Sequence, residues 1–497
     1  MATAKLLLFS LLFVLVPPLF SQSASEQIQE LDAYIDQARK QWKVPGLAIA
    51  VVKDGATLFS KGYGLRDLSK NEEIDAQTVF AMASTTKAVT ALAMAMLVDE
   101  GLVNWGDRVI DHLPEFRLMD PYVTREVRVK DLFTHNAGLG NADVLWYGLK
   151  LDSKEIVRRM RYIEPAYSFR GGYTYQNLMY LVAGQLIERV SGVKWEAFIR
   201  DRIFAPLNMV QSFPTQALSR AYSNRSTPHM EVRETITPIL DTDADMIGPA
   251  GSGWTCVEDA SKWMNFLLDS ARIEGERLVS AKNFSLLFRP QIVIPYESFY
   301  ASKYLTHPTW TTYALGWFQH DYQGRAVSFH TGSLAGTVAI CGLIPKERLG
   351  VYILGNLDHA EVRHALMYKV FDLFGPEGTN KERDWSSEFW ELYQDTGDTE
   401  SPWEPKPIEG KVKLPDFPLE DYTGIYTHEL WGEIHISLNG KSLKAKYGGF
   451  VFDLLHWNNN TFWGQPRPWD WVEYVQFNSD VSGNITLKFI GEAFHLK

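Results

Sequence analysis

Ser84-Thr-Thr-Lys87 places a hydroxyl and an amine three residues apart, which is the arrangement of a self-activating serine nucleophile. A serine alcohol becomes a good nucleophile only when a neighbouring base takes its proton, and a desolvated lysine can be that base. Residues i and i+3 share one face of a helix, so both side chains can point into one site. We therefore take Ser84 as the candidate nucleophile and Lys87 as its candidate base.

A second tetrad of the same pattern, Ser191-Gly-Val-Lys194, shows that the motif alone is weak. The surrounding sequence separates the two. An apolar run from residue 88 to 98 follows Ser84, which predicts a helix buried at the centre of a large domain and closed by Gly101. Ser191 stands at the end of a helical pattern, where Ser-Gly is typical of a turn and Lys194 is expected to face water.

The composition describes an ordinary globular protein. The chain has 497 residues, enough for two or three domains, with 45% hydrophobic and 22% charged residues. The net charge of -11, with no basic run, argues against binding to nucleic acid or to anionic membrane surfaces.

The first residues, 1 to 23, have the pattern of a signal peptide. Lys5 is followed by an apolar segment from residue 6 to 16 and by small residues near positions 21 to 24. No later segment reaches the roughly 18 uninterrupted apolar residues of a membrane span. We expect a secreted protein, extracellular or periplasmic if the source is bacterial, with no membrane association after cleavage. An uncleaved anchor is the alternative.

Two features bear on an oxidising compartment. Cys256 and Cys341 form either one disulfide or two buried free thiols, since the sequence does not place them within reach of each other. The candidate glycosylation sites are Asn224, Asn283, Asn459 and Asn484.

The order of the secondary structure elements predicts an α+β fold. A helical stretch from residue 26 to 42 leads into two apolar strands joined by Asp54-Gly55, a strong hairpin signal. Helices and loops fill residues 100 to 290, and strand-like runs return between residues 313 and 354. Strands at both ends predict one antiparallel sheet with helices on its faces and an inserted all-α subdomain.

A separate C-terminal domain is predicted beyond this sheet. Residues 378 to 410 are polar, acidic and proline-rich, as in a linker, and 395 to 404 are the clearest part. In residues 411 to 497, short alternating strands between Gly, Asn and Asp turns predict a small all-β barrel or sandwich. Its tryptophans, Trp431, Trp457, Trp463, Trp469 and Trp471, are expected to form its core rather than line a ligand pocket. The first domain then occupies residues 25 to 377.

Acyl transfer also needs a proton donor for the leaving group and groups that orient the substrate. Tyr175-Gln-Asn177 offers a phenol for proton transfer and an amide that can hold a substrate amide. We prefer it to a competing Tyr222-Ser-Asn224, because an apolar helix follows Tyr175 whereas Asn224 lies in a sequon.

The third stretch, His330-Thr-Gly-Ser333, ends a strand-like run. Gly332 lets a substrate backbone come close. The N–H groups of Ser333 and Ser84 can then act as the two donors of an oxyanion hole. His-Thr-Gly alone is a weak motif, and a histidine at the end of a strand is more often structural.

Together, the three motifs resemble the serine β-lactamase and penicillin-binding-protein superfamily, whose pattern is Ser-x-x-Lys, Tyr-x-Asn and Lys/His-x-Gly. Their separations, 91 residues from Ser84 to Tyr175 and 155 from Tyr175 to His330, are similar to those of the class C branch. The resemblance covers about residues 30 to 375. The chain also resembles that branch at Leu132-Phe-Thr-His-Asn-Ala-Gly-Leu139, Pro249-Ala-Gly-Ser and Tyr313-Ala-Leu-Gly-Trp317, and Tyr422-Thr-Gly-Ile-Tyr426 resembles a lipocalin-like domain often appended to it.

The resemblance implies a role for each motif residue. Ser84 accepts the acyl group, Lys87 is its base, and Tyr175 shuttles protons to the leaving group and from the deacylating water. Asn177 holds the substrate, and the N–H groups of Ser84 and Ser333 bind the oxyanion. This chemistry uses no metal and no cofactor.

His330 departs from the pattern of true β-lactamases, which carry lysine there. Lysine is a permanent cation suited to a substrate carboxylate, whereas histidine is largely neutral at pH 7. Histidine at this point is similar to the branch members that act as D-amino-acid peptidases or esterases and to animal β-lactamase-like proteins. His135 belongs to a segment that is structural in the family, so we leave it out of the catalytic set.

The sequence thus predicts a secreted serine hydrolase of a small peptide or ester, a D-amino peptide or ester rather than a β-lactam, and it is compatible with a homo-oligomer. The alternative is an extracellular or biomineral shell matrix protein that retains the fold with little or no activity. Three intact motifs argue against it, because a scaffold has no physical need for Lys87 beside Ser84. A lipocalin-like binding protein with a regulatory first domain fits least well.

Overall fold

The computed structural model describes residues 19–394, 403–408, 410–466, 471–479 and 485–497. The helices are α1 Leu19–Gln41, α2 Thr86–Asp99, α3 Val109–His112, α4 Pro121–Glu126, α5 Val144–Tyr147, α6 Ser153–Arg159, α7 Asn177–Ser191, α8 Trp195–Ile199, α9 Gln216–Ser219, α10 Gly248–Gly251, α11 Val257–Leu268, α12 Ala281–Leu287, α13 Lys303–Thr306, α14 Val362–Leu373 and α15 Trp385–Gln394. In this part of the chain, none of them combines the length and the apolar character needed to cross a membrane.

The strands fall into two groups along the chain. Those of the first domain are β1 Gly46–Lys53, β2 Ala56–Asp67, β3 Glu72–Glu73, β4 Phe80–Ala81, β5 His229–Val232, β6 Thr235–Pro238, β7 Trp254–Thr255, β8 Arg272–Ile273, β9 Glu276–Arg277, β10 Ile292–Val293, β11 Thr311–Tyr313, β12 Phe318–Tyr322, β13 Arg325–Leu334, β14 Thr337–Ile344 and β15 Leu349–Gly355. Those of the second are β16 Gly424–His428, β17 Gly432–Asn439, β18 Ser442–Tyr447, β19 Phe450–Asn458, β20 Thr461–Gly464, β21 Glu473–Ser479, β22 Ile485–Phe489 and β23 Glu492–Leu496.

Nine strands form one antiparallel sheet in the order β10-β11-β12-β13-β14-β15-β1-β2-β3. β1 pairs with β15 from Leu47 opposite Gly355 to Lys53 opposite Leu349. The two ends of the domain therefore meet at the centre of the sheet, and the predicted α+β architecture is confirmed.

The sheet is buried on both faces, because successive side chains of a strand point to opposite sides. In β1, Leu47, Ile49 and Val51 enter one core, whereas Ala48 and Ala50 enter the other. Helices α1, α14 and α15 cover the first face, and α2, α7 and α11 cover the second. The second core is the one that surrounds Lys87.

Helix α2 is the buried central helix that the apolar run predicts. Twelve of its 14 residues are buried, and it follows a 3-10 turn over Ala83–Thr85. Gly101 lies just beyond its end with a φ of 72°, a left-handed conformation that glycine adopts without a Cβ penalty. The base of the predicted nucleophile is thus carried by one of the most deeply buried elements of the domain.

Helices and loops fill most of the segment between residues 100 and 290, as expected. It also contains two short antiparallel ribbons, β5 with β6 and β8 with β9. Strands of two to four residues give too short a pattern to be predicted from alternation.

Helix α15 corrects the predicted linker. Trp385 and Phe389 are fully buried one turn apart, and the Trp385 ring stacks on Tyr368 of α14 at 4.9 Å between centroids. Trp385 Nε1 donates a hydrogen bond to Asp372 at 2.8 Å. The polar and acidic composition concealed two aromatic anchors, so residues 385–394 belong to the packed first domain. Of the part predicted as the clearest linker, residues 395–402 lie outside the described residues.

Strands β16 to β23 form the closed barrel that the C-terminal pattern predicts. β16 pairs with β23, with Tyr426 opposite Leu496. The barrel core contains the aromatic side chains Tyr422, Tyr426, Tyr447, Phe452, Phe462, Phe477, Phe489 and Phe494. These rings and Trp431 fill the interior. The expectation that the tryptophans form the core holds for Trp431 only, because Trp457, Trp463 and Trp471 are half-buried, and Trp469 lies outside the described residues.

The barrel packs on the first domain beside α5 and α6. The Gly449 N–H donates to the Gly148 carbonyl at 3.1 Å. Arg159 Nη1 donates to the Leu430 carbonyl at 2.9 Å. Apolar residues of the barrel and of these helices belong to one continuous core, so the two domains share a buried interface.

The candidate glycosylation sites differ in accessibility. Asn459 is exposed, whereas Asn283 is 5% exposed. Asn283 Nδ2 donates to Asp99 at 2.6 Å, and its Oδ1 accepts from Trp105 Nε1 at 3.0 Å. A glycan on Asn283 is incompatible with this packing. Asn224 is half-buried and hydrogen-bonded at both ends of its amide.

Three further predictions concern the signal peptide, the glycosylation site Asn484 and the two cysteines. Residues 1–18 and Asn484 lie outside the described residues, and the predicted cleavage zone near residues 21 to 24 falls within α1. Cys256 and Cys341 are both buried and free, which is the second of the two states left open by the sequence.

Candidate active site

Ser84 and Lys87 lie side by side at the start of α2. Lys87 Nζ is 3.0 Å from Ser84 Oγ, 2.7 Å from Asn177 Oδ1 and 2.8 Å from the Ala250 carbonyl oxygen. A neutral amine has two N–H groups and one lone pair. The amide and carbonyl oxygens can only accept, so they take the two N–H groups. The lone pair is then left to accept a proton from Ser84.

The environment of Lys87 favours this neutral form. The side chain is completely buried, and burial lowers the pKa of Lys87 well below its ordinary value of 10.5. The negative charge of Asp143 opposes that shift. Lys87 therefore loses its proton at a lower pH than a solvent-exposed lysine does.

Strand β13 lies directly against the turn that carries Ser84. A Cβ on Gly332 would clash with the Met82 carbonyl oxygen and come within 3.0 Å of the Ser84 nitrogen, so the position requires glycine. Ala83 has a φ of 47°, which is uncommon for a residue with a Cβ. The backbone of Gly332 and Ser333 thus lies beside the Ser84 amide, and the oxyanion hole at this place remains a prediction.

Tyr175 packs against Lys87, whose Nζ lies 4.7 Å from the ring centroid. Its hydroxyl is buried and makes no hydrogen bond of normal geometry with any residue that the structure describes. Burial raises the pKa of Tyr175 well above its ordinary value, and the nearby Ser84 opposes the shift. The phenol is therefore protonated at neutral pH and able to donate.

Asn177 begins α7, and both ends of its amide are engaged. Oδ1 accepts from Lys87, and Nδ2 donates to the two carboxylate oxygens of Asp143 at 3.1 and 3.0 Å. The predicted contact with a substrate amide stays a prediction. Asp143 was not predicted, since nothing in its local sequence distinguishes it from other aspartates in loops.

His330 lies inside the site, with 1% of its surface exposed. Its Nδ1–H donates to the Thr331 carbonyl at 2.7 Å, so the neutral ring accepts at Nε2 from the Tyr313 hydroxyl at 3.0 Å. Burial is the main cause that lowers the pKa of His330, to about 3. The side chain is neutral at physiological pH, consistent with the expected lack of a cation at this position.

His135 lies in the same aromatic cluster, although it was left out of the catalytic set. Its ring centroid is 4.3 Å from that of Tyr175 and 4.5 Å from that of Tyr313. Nδ1 accepts the Gln176 N–H at 3.0 Å, while Nε2 is buried without a partner among the described residues. Burial lowers the pKa of His135 well below its ordinary value. The ring packs against Tyr175 as a neutral group.

Ser333 is exposed at the end of the site and is held by Arg363, a residue that was not predicted. Arg363 Nη1 donates to Ser333 Oγ at 2.8 Å and to the Gly332 carbonyl at 2.6 Å. Its Nη2 is paired with Glu361 at 2.8 Å. Arg363 thus fixes the end of the strand while its charge is compensated within the protein.

The arrangement supplies a nucleophile, a buried base and a protonated phenol within one cluster. In the ranges that the structure covers, no group of three His, Cys, Asp or Glu side chains is arranged to hold a metal ion. The chemistry available from these side chains is acyl transfer through a serine.

Family models match both domains. Residues 31–371 match the model described as Beta-lactamase, and residues 409–492 match one described as Domain of unknown function (DUF3471). The solved structure of an octameric penicillin-binding protein homologue from Pyrococcus abyssi superposes with a TM-score of 0.64 at 20% identity, covering 94% of this chain and 99% of that one. That likeness is one of fold.

Characterised relatives extend over most of the chain. Unguisins hydrolase ungD of Aspergillus violaceofuscus is 26% identical over 442 residues, which cover 82% of this chain and 76% of that protein. Unguisins hydrolase ungD' of Aspergillus campestris is 28% identical over 439 residues, 82% of this chain and 77% of that protein. Protein flp of Staphylococcus aureus is 24% identical and covers 66% of this chain and 63% of that protein.

Proposed function

Because the chain belongs to the beta-lactamase family, a family of serine hydrolases, we propose that it cleaves an amide or ester through an acyl-enzyme on Ser84. The observation that carries this proposal is the 3.0 Å contact of Lys87 Nζ with Ser84 Oγ in a completely buried environment. Burying an amine costs free energy of desolvation whether or not it reacts, and a protein that serves only as a scaffold gains nothing from that cost.

Acylation begins when neutral Lys87 takes the proton of Ser84 as Oγ attacks the substrate carbonyl carbon. The carbonyl oxygen becomes an oxyanion facing the N–H groups of Ser84 and Ser333. The bond to the leaving amine or alcohol then breaks. The leaving atom takes the Tyr175 proton, and Lys87 returns the proton to the phenol.

Deacylation reverses the proton path. Water attacks the acyl carbon as its proton passes through Tyr175 to Lys87. The bond between the acyl carbon and Ser84 Oγ breaks, the acid product leaves, and Lys87 returns the proton to Ser84. Both half-reactions thus use the same three side chains, and no proton is gained or lost overall.

The substrate that we propose is an uncharged peptide or ester, D-amino peptides included, rather than a β-lactam. Two features support this. His330 is buried and neutral where β-lactamases carry a cation, and the charge of Arg363 is compensated by Glu361. Among the described residues around Gly332 and Ser333, these groups offer no free positive charge to a substrate carboxylate.

The test is covalent labelling combined with a panel of substrates. A fluorophosphonate probe should add its mass to Ser84 in the wild type and in Ser191→Ala, and no mass in Ser84→Ala, as read by mass spectrometry of peptides. D-Peptides, short acyl esters and unguisins should be turned over with a higher kcat/KM than a chromogenic cephalosporin. A folded wild type that neither labels nor hydrolyses any of them would contradict the proposal and favour the matrix protein.

Secretion and self-association are further proposals. A signal peptide at residues 1 to 23 predicts a mature N-terminus near residue 24, which N-terminal sequencing of the protein from its source would show. A full-length chain with an intact Met1 would contradict secretion by cleavage. Light scattering during size exclusion tests the homo-oligomer.

A further inference from the structure

Asp143 is held rigidly at the edge of the active site, just before α5. Its carboxylate accepts hydrogen bonds from Trp146 Nε1 at 3.0 Å and from Asn141 Nδ2 at 3.2 Å. It accepts two further contacts from Asn177 Nδ2, at 3.1 and 3.0 Å. With this many donors, the carboxylate has one defined orientation towards Asn177.

The orientation of the Asn177 amide depends on that carboxylate. The two ends of an amide have nearly the same shape, and hydrogen-bond partners decide which end points where. A carboxylate only accepts, so Asp143 draws Nδ2 and turns Oδ1 towards Lys87. If the amide turned over, Oδ1 would face the carboxylate and Nδ2 would compete for the Lys87 lone pair. Lys87 would then be a poorer base for Ser84.

We propose that Asp143 is a positioning residue of this hydrolase, whose carboxylate orients Lys87 through the side-chain amide of Asn177. The proposal rests on the proposed function of Ser84 and Lys87. Asp143 itself touches neither Ser84 nor the reacting atoms, and it acts through the amide and through its charge.

The charge argument holds because the other titratable groups facing Lys87 are neutral. Burial raises the pKa of Tyr175 and Tyr180 and lowers the pKa of His135 and His330. Among the described residues, Asp143 is the charged group that acts on Lys87. Its negative charge favours the protonated lysine, so removing that charge lowers the pKa of Lys87 further.

The test compares the pH profile of kcat/KM for wild type and Asp143→Asn on one ester substrate. Activity requires neutral Lys87, so kcat/KM rises with pH through the pKa of this group. In Asp143→Asn we expect the midpoint of that rise to move to lower pH. We also expect the plateau to fall by roughly 10-fold to 100-fold, which is the usual loss of activity when the partner that orients a metal ligand is removed. A midpoint and plateau equal to those of wild type would overturn the proposal.

Asp152→Asn is the matched control, because Asp152 caps α6 nine residues further along and Asn caps equally well. Its profile should equal that of wild type. Asp143→Glu keeps the charge, so it should keep the midpoint while the plateau falls. A Glu variant whose midpoint moves as far as that of Asp143→Asn would contradict the role of the charge.

The path through Asn177 is tested by combining variants. In an Asn177→Ala background the amide is gone, so Asp143→Asn should still move the midpoint but should lower the plateau no further. Full additivity of the two losses would overturn the positioning role. Labelling of Ser84 in wild type separates the two proposals. If Ser84 of the wild type is labelled and the pH profile of Asp143→Asn is unchanged, only the proposed role of Asp143 fails. If Ser84 of the wild type is not labelled, both the proposed function and the role of Asp143 fail.

Discussion

Two Ser-x-x-Lys tetrads occur in this chain, and the structure gives them opposite environments. In the first, Lys87 is completely buried and its Nζ lies 3.0 Å from Ser84 Oγ. In the second, Ser191 Oγ donates at 2.6 Å to a backbone carbonyl one turn earlier, and Lys194 Nζ lies 3.1 Å from Glu188. Equal spacing along the chain thus produces a buried pair, which we propose as nucleophile and base, in one place and an ordinary helix end in the other.

The two environments also shift the pKa values of the two lysines in opposite directions. Burial lowers the pKa of Lys87 well below its ordinary value, whereas the hydrogen bond that Lys194 donates to Glu188 raises the pKa of Lys194. The Lys194 side chain is 71% exposed and remains a solvated cation. We expect chemical activity only in the tetrad whose lysine a buried helix removes from water, and the predictions below test that difference.

The largest effect is expected from removing the base. Lys87→Met keeps an apolar side chain of similar length but leaves Ser84 with no proton acceptor, so kcat/KM should fall by about 1000-fold or more. Lys194→Met is the matched control and should stay within about twofold of wild type. The second-order rate constant of fluorophosphonate labelling measures both. A similar loss in the two variants would show that burial does not distinguish the tetrads.

The next effect concerns the helix that creates the burial. Leu92 is completely buried in α2, so Leu92→Ala should lower the free energy of unfolding by about 2–5 kcal/mol. Val193, inside the second tetrad, is 47% exposed, and Val193→Ala should change the free energy of unfolding by less than about 0.5 kcal/mol. Denaturant unfolding followed by tryptophan fluorescence measures both. Equal midpoints would contradict the central position of α2.

These differences also show what the sequence can predict. The burial of Lys87 follows from the apolar run over residues 88 to 98, because a helix that is apolar on nearly every face is covered on all sides. The sheet joined from both ends follows from the order of its strands. The anchors of α15, Trp385 and Phe389, escaped because two aromatic residues carry little weight in a polar and acidic segment.

The partners of the catalytic groups were beyond the sequence for a different reason. Asp143 lies 34 residues from Asn177, and the Ala250 carbonyl lies 163 residues from Lys87. A local pattern gives no information on which distant polar group meets a side chain, since that depends on how the helices pack.

Tyr175→Phe tests the proton donor, again with a matched residue elsewhere. Loss of the buried phenol should lower kcat/KM by about 100-fold for an amide, whose leaving group needs a proton, and less for an activated ester. Tyr222 belongs to the rejected motif, and its hydroxyl accepts from Gln211 Nε2 at 3.1 Å. Tyr222→Phe should leave both rates unchanged. Equal losses for amide and ester would contradict the donation of a proton by Tyr175.

The smallest effect is expected from His330→Lys, which places a second lysine in the site of Lys87, at a position that is 1% exposed in the wild type. The long side chain can extend towards the exposed Ser333 and keep its charge in water. An exposed cation contributes about 1 kcal/mol to a nearby carboxylate, so kcat/KM for a carboxylate-bearing substrate should rise about fivefold relative to its methyl ester. His330→Gln, which stays neutral, should leave that ratio as in wild type. If the two variants give the same ratio, the charge at position 330 does not select the substrate, and the preference for uncharged substrates must come from the shape of the site.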